Sequence, residues 1–256
     1  MPMETQPSKL RLVKELLKLG GRGEFGIDEL ILAMGGKSWK RWVEKALKNL
    51  EGEGFLRRIE DRILLDGEQK VRLLGMGYEL GGDVEELGRL IGWLDFEALI
   101  EKSLEAYGYE AIHSFRFEDG KRRWEVDLIA LRNPLLLCID CKHLVRRPGS
   151  SLKKGVEHNI NRARSLGEIL GSLEEKLSLQ SWRRVLILPL IVSLLEPPFQ
   201  EYKGCPIVPI LRLRNFLSEL RGHAFCFQAF SYRRDAQGEW LRDDSPYTSF
   251  LSQESP

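Results

Sequence analysis

The spacing of hydrophobic residues along the chain changes near Tyr109. Before that point, apolar side chains recur every three or four positions, which is typical of amphipathic helices. Two short apolar runs, Phe55-Leu56 and Ile63-Leu64-Leu65, flank a charged turn and predict a β-hairpin. The helical spacing predicts helices over about residues 8–19, 27–34, 38–50 and 71–80, the third with Ser38 as its N-cap. Another helix is predicted from about residue 85, and after an interruption at Gly92 the segment 95–107 either continues or restarts it.

After Tyr109 the apolar residues alternate or form short runs, which favours strands. Strands are predicted over about residues 112–117, 124–131, 135–145, 185–194, 206–211 and 224–232, and helices over 151–177 and 215–220. This order of elements indicates an α/β fold with a mixed sheet flanked by helices. The sequence therefore predicts a small, mainly helical domain (1–82), an α/β domain (83–234) and a loose polar tail (235–256).

Three helices followed by a hairpin resemble a winged helix-turn-helix domain. The resemblance implies that the third helix enters the DNA major groove and that the hairpin is a wing reaching the neighbouring backbone. The helix carries Lys40, Arg41 and Lys45, and the hairpin carries Arg57 and Arg58. Two other interpretations stay open: many such domains bind proteins, and a cationic helix face is often only solvated surface.

Composition limits the classes of protein that this chain can belong to. Its 256 residues are 43% hydrophobic, and 39 Lys and Arg balance 38 Asp and Glu. A nucleic-acid site must therefore be a local patch. Four cysteines are too few for a disulfide scaffold. The apolar run 185–195 is too short to span a bilayer and the first residues lack a signal-peptide pattern, so we expect a cytoplasmic protein without membrane contact.

Acidic residues interrupt two neighbouring apolar strands. Asp127 lies in the strand 124–131, and Asp140 and Lys142 lie in the strand that follows. Residues i and i+2 of a strand share a face, so Asp140 and Lys142 project together, and a hairpin can place Asp127 beside them. Two buried carboxylates repel each other unless a cation joins them, and hard oxygen ligands suit Mg²⁺ or Mn²⁺.

The acid-x-Lys spacing alone is weak evidence, because it also occurs at Glu68, Asp119, Glu174 and Glu201. Only the Asp140 occurrence lies in an apolar strand that follows another strand with its own embedded acid. The alternative interpretation is a simple Asp–Lys salt bridge within a sheet.

These residues resemble the PD-(D/E)XK nuclease superfamily, especially its Mrr-like and archaeal Holliday-junction-resolvase-like branches, over roughly residues 94–220. Asp127 matches the first acid, Asp140 the second and Lys142 the lysine. Glu97 matches a glutamate that such branches place on the preceding helix, with Glu101 a weaker candidate. Val126 stands where the motif has proline, and Asp140 where it more often has glutamate.

The resemblance implies a restriction-endonuclease-like fold and metal-dependent hydrolysis of DNA, in repair, recombination or restriction. Asp127, Asp140, Glu97 and the backbone carbonyl of Cys141 would hold Mg²⁺ or Mn²⁺, and Lys142 would orient the attacking water or stabilise charge. An endonuclease is favoured over an exonuclease. A homodimer is expected because cutting two strands often uses two active sites.

Basic residues surround the predicted site and are candidates for phosphate contact. They are Arg122, Arg123, Arg146, Arg147, Lys153 and Lys154. Asn161 and Arg162 lie one helical turn from His158 and would face the same site, although a histidine there is more often a packing or surface residue. The pair Cys138 and Cys141 does not predict a zinc site, because i and i+3 of a strand face opposite sides.

Two other functions remain open on the sequence. One is a DNA-binding regulator or repair accessory with an inactive nuclease-like domain. The other is a module whose winged helix docks a protein such as a helicase. The sequence does not separate DNA from RNA as the substrate.

Overall fold

A computed structural model describes residues 5–142 and 149–243. These residues form two compact units, and the division falls between Leu99 and Ile100. The sequence had placed the boundary between residues 82 and 83. The division thus falls within a helix, Trp93–Glu105.

The N-terminal unit is mainly helical with one small sheet. Its helices are α1 (Gln6–Gly20), α2 (Ile27–Ala33), α3 (Lys40–Gly52), α4 (Gly67–Glu79), α5 (Val84–Arg89) and the first part of α6 (Trp93–Glu105). The sheet has strands β1 (Phe25–Gly26), β2 (Arg57–Ile59) and β3 (Arg62–Leu64), in the order β1-β3-β2. Fully buried leucines from different helices form its core, among them Leu16, Leu30, Leu47 and Leu73. The predicted helices and hairpin are therefore present with altered ends, and the helix after Gly92 is a new one, α6, separate from α5.

Three details of this unit differ from the prediction. Ser38 is not an N-cap, because it lies inside a 3₁₀ turn (Lys37–Trp39) that precedes α3. The helix expected at 71–80 starts earlier, since Asp66 and Gln69 form a capping box that satisfies its first backbone groups. The two-residue strand β1, which pairs Phe25 with Ile63, is too short to leave a pattern in the sequence.

The C-terminal unit is built on one large mixed sheet, as expected. Its strands are β4 (Glu110–Glu118), β5 (Arg123–Arg132), β6 (Leu135–Lys142), β7 (Arg184–Ser193), β8 (Glu201–Tyr202), β9 (Cys205–Pro209), β10 (Phe230–Arg234) and β11 (Trp240–Arg242). The order is β11-β10-β7-β6-β5-β4, and β9 joins β7 and β8. The β6–β7 and β7–β9 pairs are parallel, and the others are antiparallel.

Three helices accompany this sheet: α7 (Gly149–Glu168), α8 (Leu170–Leu173) and α9 (Leu213–His223). The single helix expected over 151–177 is wrong, because Ile169 leaves the helical conformation and separates α7 from α8. The break is hidden in the sequence, since Leu166, Leu170, Leu173 and Leu177 keep helical spacing and are all buried.

The end of the chain also differs from the prediction. The strand expected over 224–232 begins only at Phe230, after a 3₁₀ turn at Ala224–Cys226. Part of the expected polar tail forms β11, which pairs with β10 from Arg234↔Trp240 to Tyr232↔Arg242. Residues 143–145 of the expected strand 135–145 lie outside the described part of the chain.

Pro189 occupies a central strand, where proline is normally excluded because it cannot donate a hydrogen bond. It lies between Ile187, which pairs with β10, and Ile191, which pairs with β9. On this edge of β7 the neighbouring strand therefore changes from β10 to β9 at the proline. The backbone N–H that proline lacks falls between the two sets of strand-pairing hydrogen bonds. The Cys205 thiol donates instead to the Pro189 carbonyl, with sulfur and oxygen 3.3 Å apart.

The helix α7 is fixed to the sheet by a fully buried asparagine. The Nδ2 atom of Asn159 donates to the carbonyl oxygens of Cys138 in β6 (3.0 Å) and Leu190 in β7 (3.1 Å). These two strands are parallel, and α7 lies in the connection between them. One side chain thus sets the position of the helix over both strands.

We expect Asn159→Ala to lower the free energy of unfolding by about 2–3 kcal/mol, because it removes both buried hydrogen bonds to the strand carbonyls, together with those accepted from Cys138 and Arg162, and leaves a small cavity. Urea unfolding measures this change. The matched control is Asn161→Ala, an exposed asparagine on the same helix, which should stay within about 0.5 kcal/mol of the wild type. Equal stability of the two variants would contradict the role given to Asn159.

No helix in the described ranges is both long enough and apolar enough to cross a membrane.

Candidate functional site

Two carboxylates lie side by side where β5 and β6 pair. The register ends at Leu128↔Ile139, which places Asp127 and Asp140 at the next positions along the two strands. The Cys141 backbone N–H donates to the Asp127 Oδ2 atom over 2.8 Å, so the side chain of Asp127 turns toward β6. The predicted juxtaposition of Asp127 with the second strand is therefore present.

Asp140 is buried and sits between two cationic groups. The Lys142 ammonium is 2.5 Å from Oδ2 of Asp140, and the Arg162 Nη1 atom is 3.2 Å from its Oδ1 atom. The Lys142 contact confirms that residues 140 and 142 share one face of β6. Oδ2 is nevertheless a buried oxygen that accepts no hydrogen bond of acceptable geometry.

A glycine on the facing helix makes room for the lysine. A Cβ atom at Gly155 would lie 3.2 Å from the Cε atom of Lys142, which is closer than most side-chain contacts. Any larger residue at this position would press on Lys142, so Gly155 belongs to the site although sequence reasoning missed it. An isolated glycine in a helix gave no indication of the partner it accommodates.

The two carboxylates influence each other electrostatically. Burial raises the pKa of Asp127, and the negative charge of Asp140 raises it further. The Cys141 N–H, Arg162 and Lys142 act in the opposite direction without cancelling this effect. Ionised Asp127 is therefore held at a cost in free energy, which a nearby cation would reduce.

The donor set fits a hard divalent cation with few protein ligands. Within residues 5–142 and 149–243, no cluster of three or more His, Cys, Asp or Glu side chains is arranged to hold a metal. Two carboxylates, Asp127 and Asp140, are present. A residue of an antiparallel strand directs its N–H and its carbonyl to the same neighbouring strand. Because the Cys141 N–H faces Asp127, the Cys141 carbonyl is directed to the same side. Mg²⁺ is commonly held by one or two carboxylates with water completing the shell. Asp127, Asp140 and the Cys141 carbonyl fit that description.

Helix α7 contributes Arg162 and His158, which the sequence had placed near the site only because they lie one helical turn apart. Arg162 is buried and bonds Asp140, and its Nη2 atom is 3.2 Å from Nδ1 of His158. Asn161, expected on the same side, is exposed and accepts instead from Arg164. Asn159, one position from His158, bonds the sheet and also accepts from Arg162 over 3.4 Å.

The predicted glutamates of α6 lie on different sides of the division between the two units. Glu97 is half-buried and belongs to the N-terminal unit. Glu101 belongs to the C-terminal unit, where its carboxylate is 3.2 Å from the His113 Nε2 atom. Glu101 therefore has a partner on β4, and the role of Glu97 stays a prediction.

The basic residues of the N-terminal unit differ in their partners. Lys40, Arg41 and Lys45 are exposed on α3, with Lys40 3.9 Å from the Glu44 carboxylate. Arg57 is exposed on β2. Arg58 is partly buried and pairs with Glu51 at 2.6 Å, so its charge is already matched within the protein.

The basic residues of the C-terminal unit are also arranged unequally. Arg122 stacks on the Trp124 ring, with its guanidinium carbon 3.3 Å from the ring centroid, and its Nη2 atom is 2.8 Å from Nε2 of His158. Arg123 is exposed beside Glu118. Lys153 lies over the Tyr202 ring, and Lys154 is exposed. Arg146 and Arg147 lie outside the described residues.

The two strand cysteines are buried side chains of β6. Cys138 and Cys141 are free thiols. Cys138 is buried against Asn159, and burial raises its pKa to about 12.

Comparisons with known proteins do not assign an activity. No family model matches the chain. An uncharacterized protein of Archaeoglobus fulgidus is 29% identical over 130 residues, which are 50% of this chain and 91% of that protein. The crystal structure of protein VC1899 from Vibrio cholerae covers 85% of the chain at 14% identity, with a TM-score of 0.27. The chain covers about half of the length of VC1899, namely 55%.

We expect Asp127→Asn to stabilise the metal-free protein more at pH 7 than at pH 4. A carboxyl group whose pKa is raised on folding binds its proton more tightly in the folded state, so its contribution to stability is lost as pH rises above its ordinary value of 3.8. Asparagine does not ionise, but its carbonyl still accepts from Cys141. Urea unfolding in EDTA across this pH range measures the difference.

Asp119→Asn is the control of opposite sign. The Trp124 indole and the backbone N–H groups of Arg122 and Lys121 lower the pKa of Asp119, so its ionised form stabilises the fold above the ordinary pKa. This variant should be destabilised at pH 7 and less so in acid. Equal pH profiles for both variants would contradict the electrostatic description of Asp127.

Proposed function

We propose that the protein is a metal-dependent nuclease that hydrolyses phosphodiester bonds in DNA. The observation that carries the proposal is the pairing of two carboxylates, Asp127 and the buried Asp140, beside Lys142 at the junction of β5 and β6. The charge of Asp140 and partial burial raise the pKa of Asp127, and a divalent cation held by both carboxylates would relieve this repulsion.

Each residue of the site has a distinct task under this proposal. Arg162 binds Oδ1 of Asp140 and so fixes the carboxylate plane, while Oδ2 faces Lys142 on the side where the cation would bind. Asp127, Asp140 and the Cys141 carbonyl would hold Mg²⁺ or Mn²⁺, with Glu97 a further candidate. The bound cation would supply a water of lowered pKa and neutralise charge on the phosphate. Lys142, packed against Gly155, would orient that water and donate to the developing charge.

The wider proposal follows the two-unit organisation. The helices and hairpin of the N-terminal unit are proposed as a winged helix-turn-helix domain that contacts DNA through α3 and β2. The C-terminal unit is proposed as a PD-(D/E)XK-like endonuclease domain acting in repair, recombination or restriction. A homodimer would supply one active site for each strand of a duplex, and a repair helicase is a candidate partner.

One observation favours a second function, a DNA-binding regulator or repair accessory without nuclease activity. Lys142 and Arg162 both pair with Asp140. Two cationic side chains neutralise the buried charge without any metal, as in a purely structural ion-pair cluster. The two functions differ in whether cleavage occurs, and they share DNA binding.

We expect Asp140→Asn and Lys142→Ala each to lower the rate of DNA cleavage by about 100-fold or more, because each removes a group that acts on the transition state. Labelled duplex, flap, junction and single-stranded DNA are compared in Mg²⁺, Mn²⁺ and EDTA. The matched control is Glu201→Gln, an exposed acid with the same acid-x-Lys spacing. It should cleave at the wild-type rate.

Cleavage that persists in EDTA or in Asp140→Asn would contradict the metal-dependent mechanism. A wild type that binds DNA but cleaves none of these structures in either metal would favour the regulator or accessory.

We expect the triple replacement of Lys40, Arg41 and Lys45 by alanine to weaken DNA binding by about tenfold at 0.1 M salt. It should also reduce the salt dependence by two to three phosphate contacts, since each contact releases counterions. Fluorescence anisotropy of the full chain at several salt concentrations measures both. Replacing Lys9, Lys14 and Lys18 of α1 removes the same charge and should change affinity less than about threefold. Equal losses would contradict a specific role for α3.

A further inference from the structure

His158 lies between two guanidinium groups. Its Nδ1 atom is 3.2 Å from Nη2 of Arg162, and its Nε2 atom is 2.8 Å from Nη2 of Arg122. Partial burial and the charges of Arg162 and Arg122 lower the pKa of this histidine, which keeps the ring neutral. Both nitrogens of a neutral imidazole therefore face groups that only donate hydrogen bonds.

This arrangement lacks one hydrogen-bond acceptor. A neutral imidazole has one lone pair and one N–H, and a guanidinium has no lone pair to offer. Whichever tautomer is present, one ring N–H points at an arginine N–H. A protonated ring would make both contacts repulsive. The ring N–H is satisfied when an acceptor binds beside the ring and one of the arginines.

An acceptor from solvent can reach only the Arg122 side of the ring. Arg162 is buried and held by the Asp140 carboxylate, whereas His158 and Arg122 are both exposed. With an acceptor on the exposed side, Nδ1 accepts from Arg162 and Nε2 carries the proton, so Nε2–H and the Arg122 guanidinium can donate to one ligand.

The turn that carries Arg122 is held in place by its own side chains. Oδ1 of Asp119 accepts from the backbone N–H groups of Lys121 and Arg122, each over 2.9 Å, and its Oδ2 atom accepts from the Trp124 indole over 2.7 Å. The Trp124 ring in turn supports the Arg122 guanidinium. A preorganised guanidinium beside an imidazole N–H binds an anion at lower entropic cost than a mobile surface arginine.

We propose that Arg122 and His158 bind a backbone phosphate of the nucleic-acid strand, next to the phosphate at the acidic pair. A phosphate oxygen accepts from both groups at once and supplies the acceptor that the cluster lacks. This inference rests on the proposed function. Arg162 stands between His158 and Asp140, so the two phosphates are neighbours along the strand and not one group.

The subsite also links binding to the acidic pair. Arg162 donates to Asp140 through Nη1 and to His158 through Nη2. A phosphate that fixes His158 therefore also fixes the guanidinium that orients Asp140. Arg122 and His158 are positioning residues in this arrangement, whereas Asp127, Asp140 and Lys142 contact the reacting groups.

The test measures DNA binding by the full chain in EDTA, where no cleavage is expected. We expect Arg122→Gln and His158→Ala to weaken binding of a labelled duplex by about 5- to 10-fold, and Arg122→Gln to reduce the log–log salt slope by about one. The matched control is Arg116→Gln, which removes an exposed arginine from the strand β4 before the same turn. It should change affinity less than about twofold. Thermal unfolding verifies that each variant is folded.

A second measurement locates the phosphate. Single neutral methylphosphonate linkages are placed at successive positions along one strand. We expect one position to weaken binding by the wild type and to have no effect on Arg122→Gln, because the partner of that phosphate is already lost. Absence of such a position would overturn the assignment of one bound phosphate.

The outcomes separate this proposal from the proposed nuclease activity. Loss of affinity in Arg122→Gln, with no cleavage by the wild type in Mg²⁺ or Mn²⁺, would support the subsite and contradict the nuclease. Equal binding by Arg122→Gln and Arg116→Gln, with cleavage by the wild type, would overturn the subsite alone. A wild type that binds neither duplex nor single-stranded DNA would also overturn it.

Discussion

The buried negative charge of Asp140 determines the arrangement around it. A carboxylate in the interior of a sheet must be paired, hydrogen-bonded or protonated, because its desolvation otherwise costs several kcal/mol. Here Lys142 comes from the same strand and Arg162 from the helix that follows it. Asp127 brings a second acid to the same place, and burial together with the charge of Asp140 raises its pKa. Two acids and two cations are thus held close together, and each changes the electrostatic environment of the others.

This arrangement depends on how accurately α7 lies on the sheet. Asn159 connects the helix to β6 and β7 through buried hydrogen bonds, and its neighbours on adjacent turns are then directed at the site. Gly155 admits Lys142, His158 faces the β4–β5 turn, and Arg162 reaches Asp140. The parallel β6–β7 pair needs such a crossover helix in any case. The helix that connects the two parallel strands therefore also carries Arg162 and His158 of the candidate site.

Much of this could be predicted from the sequence, and the rest could not for physical reasons. Asp140 and Lys142 share a strand face by the period of two alone, so their contact was predictable. The role of Gly155 was not, because a missing side chain does not indicate its neighbour. The break at Ile169 was hidden by buried leucines that keep helical spacing on both sides. The Arg122 contact with His158 joins positions far apart in the chain and depends on the β4–β5 turn, whose geometry no periodicity specifies.

Pro189 has a consequence for how the sheet can change in evolution. Because β7 pairs with β10 before this residue and with β9 after it, the two neighbours are attached to different ends of one strand. Lys142, Ser193 and Pro209 stand in register at the end shared with β9, which is the end that carries the acidic residues. The hairpin of β10 and β11 joins the opposite end. It can lengthen, shorten or acquire insertions without altering the rim of the site, whereas any change in β9 alters that rim directly.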